Sequence, residues 1–424
     1  MREDFLHYLW RFKRFDSSAL KTSDGENIEI IDFGEYNTNA GPDFFNSKIK
    51  IGETLWAGNV EMHLKSSEWW LHKHQEDMAY NNVILHVVLE EDSPVFRENG
   101  EKIPCLVLRP HIKENLLGTY QQLLNNAHWI PCQHHFYSVS EMTKNSWVTR
   151  LLIERLDEKT QLIEAQLVQN QYHWEETFYQ FLSKNFGLKV NDLPFEMLAK
   201  SLPLGVIGKH KDQLFQVEAL LLGQAGLLNE DFEDDYPQKL KKEYEYLSKK
   251  FQLQPMETSI WKFSRLRPQN FPSVRIAQFA ALIHQSVHLF SKILETKDAK
   301  SLEKLFQVEL SGYWETHFIL DKSSKKISKT LGKETIRLFL INTIAPFLFL
   351  YGKIKKEEEF KDRAVELLEQ LSPERNNIIE GWQKLGFDAT SAGQTQGLIQ
   401  LKNKYCSHQK CLDCAIGISI MKGV

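Results

Sequence analysis

The chain has 424 residues, 42% hydrophobic and 25% charged, with 13 prolines and 21 glycines. This excludes a disordered or fibrous chain and gives enough apolar mass for two or three globular domains. The net charge of −4 is uneven: residues 1–138 carry 13 Lys/Arg against 20 Asp/Glu and nine of the fifteen histidines, a balance that suits a metal site and is not by itself a nucleic-acid signature.

Residues 3–14 read as an amphipathic helix, with Phe5, Leu9, Trp10 and Phe12 on or near one face. The opening Met1-Arg2-Glu3-Asp4 leads into no apolar signal core, so a cytoplasmic chain is expected. After the turn at Asp24-Gly25, strands are expected at 27–33, 43–51 and 54–65, joined as an antiparallel meander. Ser66-Ser67 then offers a cap for a helix over 68–80. Residues 82–90 (NVILHVVLE) form a nearly continuous apolar run, the pattern of a strand buried on both faces. Asn99-Gly100 marks a hairpin between 94–97 and 103–108.

From about residue 112 the periodicity is helical. Helices are expected at 147–171, 174–185, 193–201, 210–228, 237–250, 274–295, 300–310, 333–351, 357–371, 374–384 and 393–405. The apolar stretch 335–351 contains Arg337 and Pro346 and is too short to span a bilayer, so it reads as a buried helix. Residues 229–236 and the lysine runs Lys322–Lys329 and Lys353–Lys356 read as solvated loops. Arg265, Arg267 and Arg275 lie near Trp261 and Phe271, a mixture that can hold phosphates and stack bases but more often caps helices and pairs acids. The resulting fold class is α+β: an N-terminal α-β-β-β-α-β mixed sheet (1–135), a large all-α domain (136–404) and a Cys-rich C-terminal segment (405–424).

Alternation along 54–65 puts Glu61, His63 and Lys65 on one face of the third strand. A hairpin returns the start of the second strand, where Asp43 follows Gly41-Pro42, to the end of the third. Asp43 and Glu61 can then converge as hard oxygen ligands for Mg²⁺ or Mn²⁺, with His63 or Lys65 to orient a water or balance charge. His72, His74 and His86 could join His63 around a transition metal. Against this, residues two apart on a helix do not share a face, and a histidine within an apolar strand is more often a satisfied core residue.

Pro42-Asp43 opening the second strand, Glu61-Met62-His63 on the third and the α-β-β-β-α-β order resemble the PD-(D/E)XK nuclease superfamily. The resemblance implies a metal-dependent nuclease-like core with Asp43, Glu61, His63 and Lys65 at its site, and it places His63 where lysine usually stands. The full chain also resembles a family of uncharacterised bacterial proteins, a domain of unknown function. The segments that carry this likeness are Gly41-Pro-Asp-Phe44, Gly58-Asn-Val-Glu-Met-His63, Trp69 through His74, Leu85-His-Val-Val88, Arg267-Pro-Gln-Asn-Phe-Pro272 and Tyr405-Cys through Gly417.

Of five cysteines, Cys406, Cys411 and Cys414 fall within nine residues as C-x4-C-x2-C. An odd, clustered count does not suit a secreted disulfide framework. With a fourth ligand from Cys132 or His408, the spacing suits zinc or an iron–sulfur cluster. The expected function is therefore a Mg²⁺- or Mn²⁺-dependent nuclease-like protein acting on DNA or RNA phosphodiesters. The alternative is a nuclease-fold binding or scaffold protein without catalysis, and a third reading is a hydrolase with a His-ligated metal and another substrate.

Overall fold

The structure is a computed structural model that describes residues 1–125, 128–286 and 288–423. It is a mixed α+β protein of two compact units, one formed by residues 1–147 with 401–424 and the other by 148–400.

The first unit opens with α1 (Glu3–Arg11), which has acids in its first turn, Arg11 in its last, and Phe5, Leu6, Tyr8, Leu9 and Trp10 buried. That charge order complements the helix dipole. Strands β1 (Ile28–Asp32), β2 (Glu35–Tyr36), β3 (Phe44–Ile51), β4 (Thr54–Lys65), β5 (Val83–Glu90) and β6 (Cys105–Val107) form one sheet. Its order is β1-β3-β4-β5-β6, with β2 also on β3. The β1/β3/β4 pairs are antiparallel and the β4/β5/β6 pairs parallel. The central position of β5 explains its apolar run: seven of its eight residues are buried. At Gly58 a Cβ would meet Ile84 Cγ2 at 2.4 Å and the Asn82 carbonyl at 2.6 Å, so glycine is what lets the start of β5 close on β4.

The meander and the 82–90 strand stand as expected, with the short β2 added. The helix expected over 68–80 does not form. Helix α2 (Glu68–Leu71) stops after four residues, Lys73 turns left-handed at φ 60°, and single 3₁₀ turns follow at His74–Glu76 and Met78–Tyr80. The Asp77 side chain accepts the Ala79 N–H, a local bond that competes with helix propagation. This broken path buries Trp69 and Tyr80 in one small core with Val83, Val95 and Ile103. The expected hairpin survives as a Phe96–Lys102 bridge ahead of β6. Helix α3 (Glu114–Leu124) follows, and the C-terminal helix Ala415–Lys422 completes this unit.

The second unit is helical around one large core. It holds most of the long helix Glu141–Gln169, followed by Trp174–Phe186, Asp192–Ser201, Leu214–Gln224, Asp235–Phe251 and Pro272–Gln285. The expected 210–228 helix is shorter, at Leu214–Gln224, with a separate short helix before it at Leu204–Gly208, and the expected 274–295 helix divides into Pro272–Gln285 and Leu289–Glu295. Continuous helix over Lys333–Lys355 corrects the expectation of a segment too short for a membrane: by length and composition alone it could cross one, but 72% of its most apolar window is buried within the protein. A π-helical turn at Leu340–Ile344 precedes Pro346, which has no N–H to give the helix. The 322–329 lysine run is not all solvated: Lys322–Ser323 pairs with His317–Ile319, and Lys329 is buried, its Nζ 2.9 Å from the Glu315 carbonyl and above the Phe318 ring.

Candidate metal centre

The loop before β3 is fastened by Asn37, whose amide nitrogen donates to the carbonyls of Asn39, Ala40 and Pro42 at 3.0–3.2 Å. This fixes Asp43 beside β4. Its Oδ2 accepts the Met62 N–H at 2.9 Å, while the Asp43 N–H donates to Glu61 Oε2 at 3.1 Å. The two carboxylates are thus locked together through reciprocal backbone bonds.

On the other side of Glu61 stands a group of histidines. Glu61 Oε1 lies 3.3 Å from His74 Nε2 and 3.7 Å from His63 Nε2. His63 Nε2 is 3.1 Å from His72 Nδ1, and its Nδ1 is 2.8 Å from His86 Nε2. The β4/β5 register explains His86: it pairs with Glu61 in a parallel ladder and so shares the face of Glu61 and His63. His63, His72 and His74 each offer a ligand atom within 4.8 Å of the others, the single such triplet found among the described residues. The objection that His72 and His74 cannot share a face fails because the helix ends at Leu71 and the left-handed Lys73 between them turns both rings toward His63.

Burial is graded. His86 and His63 are 0% and 1% exposed and Glu61 5%, whereas Asp43 and His74 are half-buried and His72 is exposed. His72 therefore marks the open side. Trp69 and Tyr80 wall the cluster, Tyr80 stacking on His74 at 3.8 Å between ring centroids.

Electrostatics follow from that burial. Desolvation, then the charge of Asp43, pushes the Glu61 carboxyl up to about 9. Burial and the surrounding imidazoles hold His63 down to about 2, and burial with His74 holds His86 down to about 3. Both imidazoles are neutral, the form that ligates metals. His7, on α1, was not anticipated. Its Nε2 is 3.2 Å from Asp43 Oδ2. Burial alone would lower its pKa, but the bond to Asp43 and its charge outweigh burial and raise it.

Of the other residues singled out in the sequence, Lys65 is not part of the cluster: its Nζ is 3.7 Å from Glu90 Oε1 on the exposed edge. Arg275 is buried among Gln278, Asn270 and Thr335, and Trp261 donates to the Ala225 carbonyl at 2.7 Å, so both serve the helical core. Cys132, Cys411 and Cys414 are buried, Cys406 is partly buried, and none is in a disulfide.

Neighbouring donors at 3.1–3.7 Å are at the spacing of adjacent ligands around one ion, since metal bonds of ~2.0–2.2 Å give ligand–ligand edges of roughly 3.0–3.6 Å. Imidazole nitrogens alongside a carboxylate suit Mn²⁺, Fe²⁺ or Zn²⁺ better than Mg²⁺, which prefers oxygen. His63 could ligate through Nε2 with His86 behind its Nδ1, an orienting partner in the second layer.

One family model matches the chain, over residues 3–377, and it is described as a protein of unknown function, DUF2851. No curated protein and no solved structure matched the chain.

Proposed function

For a chain that belongs to the DUF2851 family, which brings no assigned activity, we propose a metal-dependent phosphodiesterase of the nuclease type, working through the Asp43–Glu61–histidine centre. One observation carries the reading: Glu61 Oε1 is within 3.7 Å of both His63 Nε2 and His74 Nε2, on the carboxylate that Asp43 backs through its own N–H. The strand order around it, with Pro42-Asp43 opening β3 and Glu61-Met62-His63 on β4, supports a nuclease-like core.

Glu61, His63, His74 and His72 would hold the ion, and Asp43 would face the same space. When bound, a Mn²⁺-class ion supplies Lewis-acid polarisation of a phosphoryl oxygen and an attacking water. The chain's own groups do the rest. His86 fixes the ring of His63, Met62 N–H and Asp43 N–H hold the two carboxylates in place, and His7 retains a proton at Nε2 against Asp43 for delivery to a leaving oxygen. DNA or RNA is the proposed substrate class.

A second reading, a binding protein on the same fold without catalysis, is favoured by one observation. No lysine joins the cluster among the described residues, since Lys65 faces Glu90. Incubation of the full chain with single-stranded and duplex DNA and RNA, with Mn²⁺ or Mg²⁺, separates the two. The hydrolytic reading expects Mn²⁺-dependent cleavage that Asp43→Ala and Glu61→Ala each reduce by at least ~100-fold. Equal cleavage by wild type and both variants, or none with any ion, would count for the second.

A further inference from the structure

The first unit contains a second concentration of metal-binding side chains. The chain turns tightly after residue 400, with a π-helical turn at Leu401–Tyr405, 3₁₀ turns at Cys406–His408 and Cys411–Asp413, and Gln409 left-handed between them. This places Cys406, Cys411 and Cys414 along one short folded path. Lys402 Nζ donates to the Trp129 carbonyl at 2.6 Å and Gln409 Nε2 to the Leu124 carbonyl at 2.8 Å, tying the path to the stretch that leads into Cys132. The four thiols lie within electrostatic reach of one another: Cys406 senses Cys132, Cys414 and Cys411, and Cys132 senses Cys414 and Cys411. His408, the other candidate fourth ligand, is exposed.

The surroundings hold the sulfurs in place. Backbone N–H groups of Gly417 and Ile416 point toward the Cys414 sulfur, and the Trp147 side chain lies beside it. At Gly417 a Cβ would stand 2.1 Å from the Cys411 carbonyl, so only glycine lets the C-terminal helix start against the Cys411 turn. All four cysteines are buried or partly buried and none is in a disulfide, so each sulfur is available as a metal ligand.

Two kinds of centre take four cysteine thiolates: a single zinc, and an iron–sulfur cluster that brings acid-labile sulfide with it.

We propose that Cys132, Cys406, Cys411 and Cys414 together hold a thiolate-ligated metal centre, a single zinc or an iron–sulfur cluster, with Cys132 as the remote fourth ligand. This inference is independent of the phosphodiesterase reading. The test is metal and acid-labile sulfide analysis of the full chain purified without oxygen, with visible absorption before and after dithionite. The expected result is either about one zinc per chain without sulfide or about two to four iron matched by sulfide, with absorption that dithionite bleaches. Cys132→Ser and Cys406→Ser should lose more than half of that metal, while Cys105→Ser and His408→Ala keep the wild-type content. No metal in the wild type, or metal lost in His408→Ala but kept in Cys132→Ser, would overturn the proposal. Should the ligand variants fail to fold, thiol titration of the native wild type before and after a chelator still decides, and it is blind to any ion at the histidine centre.

Discussion

Glu61 sits between two kinds of neighbour, the Asp43 carboxylate and a set of neutral imidazoles, and burial makes its charge expensive unless a cation is present. Glu61→Gln is nearly isosteric and keeps a group that can accept from the Asp43 N–H. In the presence of a chelator it should therefore melt within about 1 kcal/mol of wild type. Mn²⁺ at about 100 times its Kd should stabilise the wild type by about 2.7 kcal/mol and leave the variant unmoved, which thermal denaturation measures. In the other unit Glu218 is buried, its Oε2 accepting from Tyr236 and Trp314, and burial raises it to about 7. The folded state then keeps a proton that the unfolded chain loses above its ordinary value of 4.5. The contribution of Glu218 to stability should therefore fall as pH rises from about 4.5 to about 7, by roughly 3 kcal/mol, and then level off. Glu218→Gln should remove that slope in urea melts. At this scale the sequence was partly readable. Strand alternation and a hairpin were enough to bring Asp43, Glu61 and His63 together. His7 left no signal, because its role depends on how α1 packs against β3.

At the level of elements, the most informative feature is the interrupted stretch after β4. Residues 68–80 have helical periodicity, yet the chain stops at Leu71 and reverses at Lys73. Local propensity loses here to the burial of Trp69 and Tyr80, which no periodicity count contains. The same reversal turns His72 and His74 from strangers on a helix into partners of His63. Lys73→Gly should be neutral or stabilising by up to about 1 kcal/mol, while Lys73→Val should cost about 1–2 kcal/mol and weaken Mn²⁺ uptake, both readable by urea denaturation and calorimetry. Gly58→Ala should cost more, about 2–3 kcal/mol, because its Cβ meets Ile84 and the Asn82 carbonyl across the β4/β5 junction. The strands were legible because their alternation is set by burial on the sheet; the end of Pro272–Gln285 ahead of Leu289–Glu295 was not, since the apolar periodicity runs on across it.

Across the whole molecule, the C-terminal 401–424 stretch folds with the N-terminal head rather than with the helical residues that precede it. Arg14 donates to the Met421 carbonyl and Arg2 to Gln409, contacts spanning more than four hundred residues of sequence. No local pattern foretells such a return, although the cysteines at 132 and 406–414 hint at it. Removing residues 401–424 should strip hydrogen-exchange protection from α1 and α3 while leaving the helix Pro272–Gln285 protected. The central claim concerns the other end of the chain, and it is tested most directly by a crystal soaked in Mn²⁺ and measured at the manganese absorption edge. The account predicts one anomalous peak ~2.0–2.3 Å from Glu61 Oε1 and the His63 and His74 Nε2 atoms. A peak elsewhere, or a native cluster that stays free of manganese at saturating ion, would contradict it.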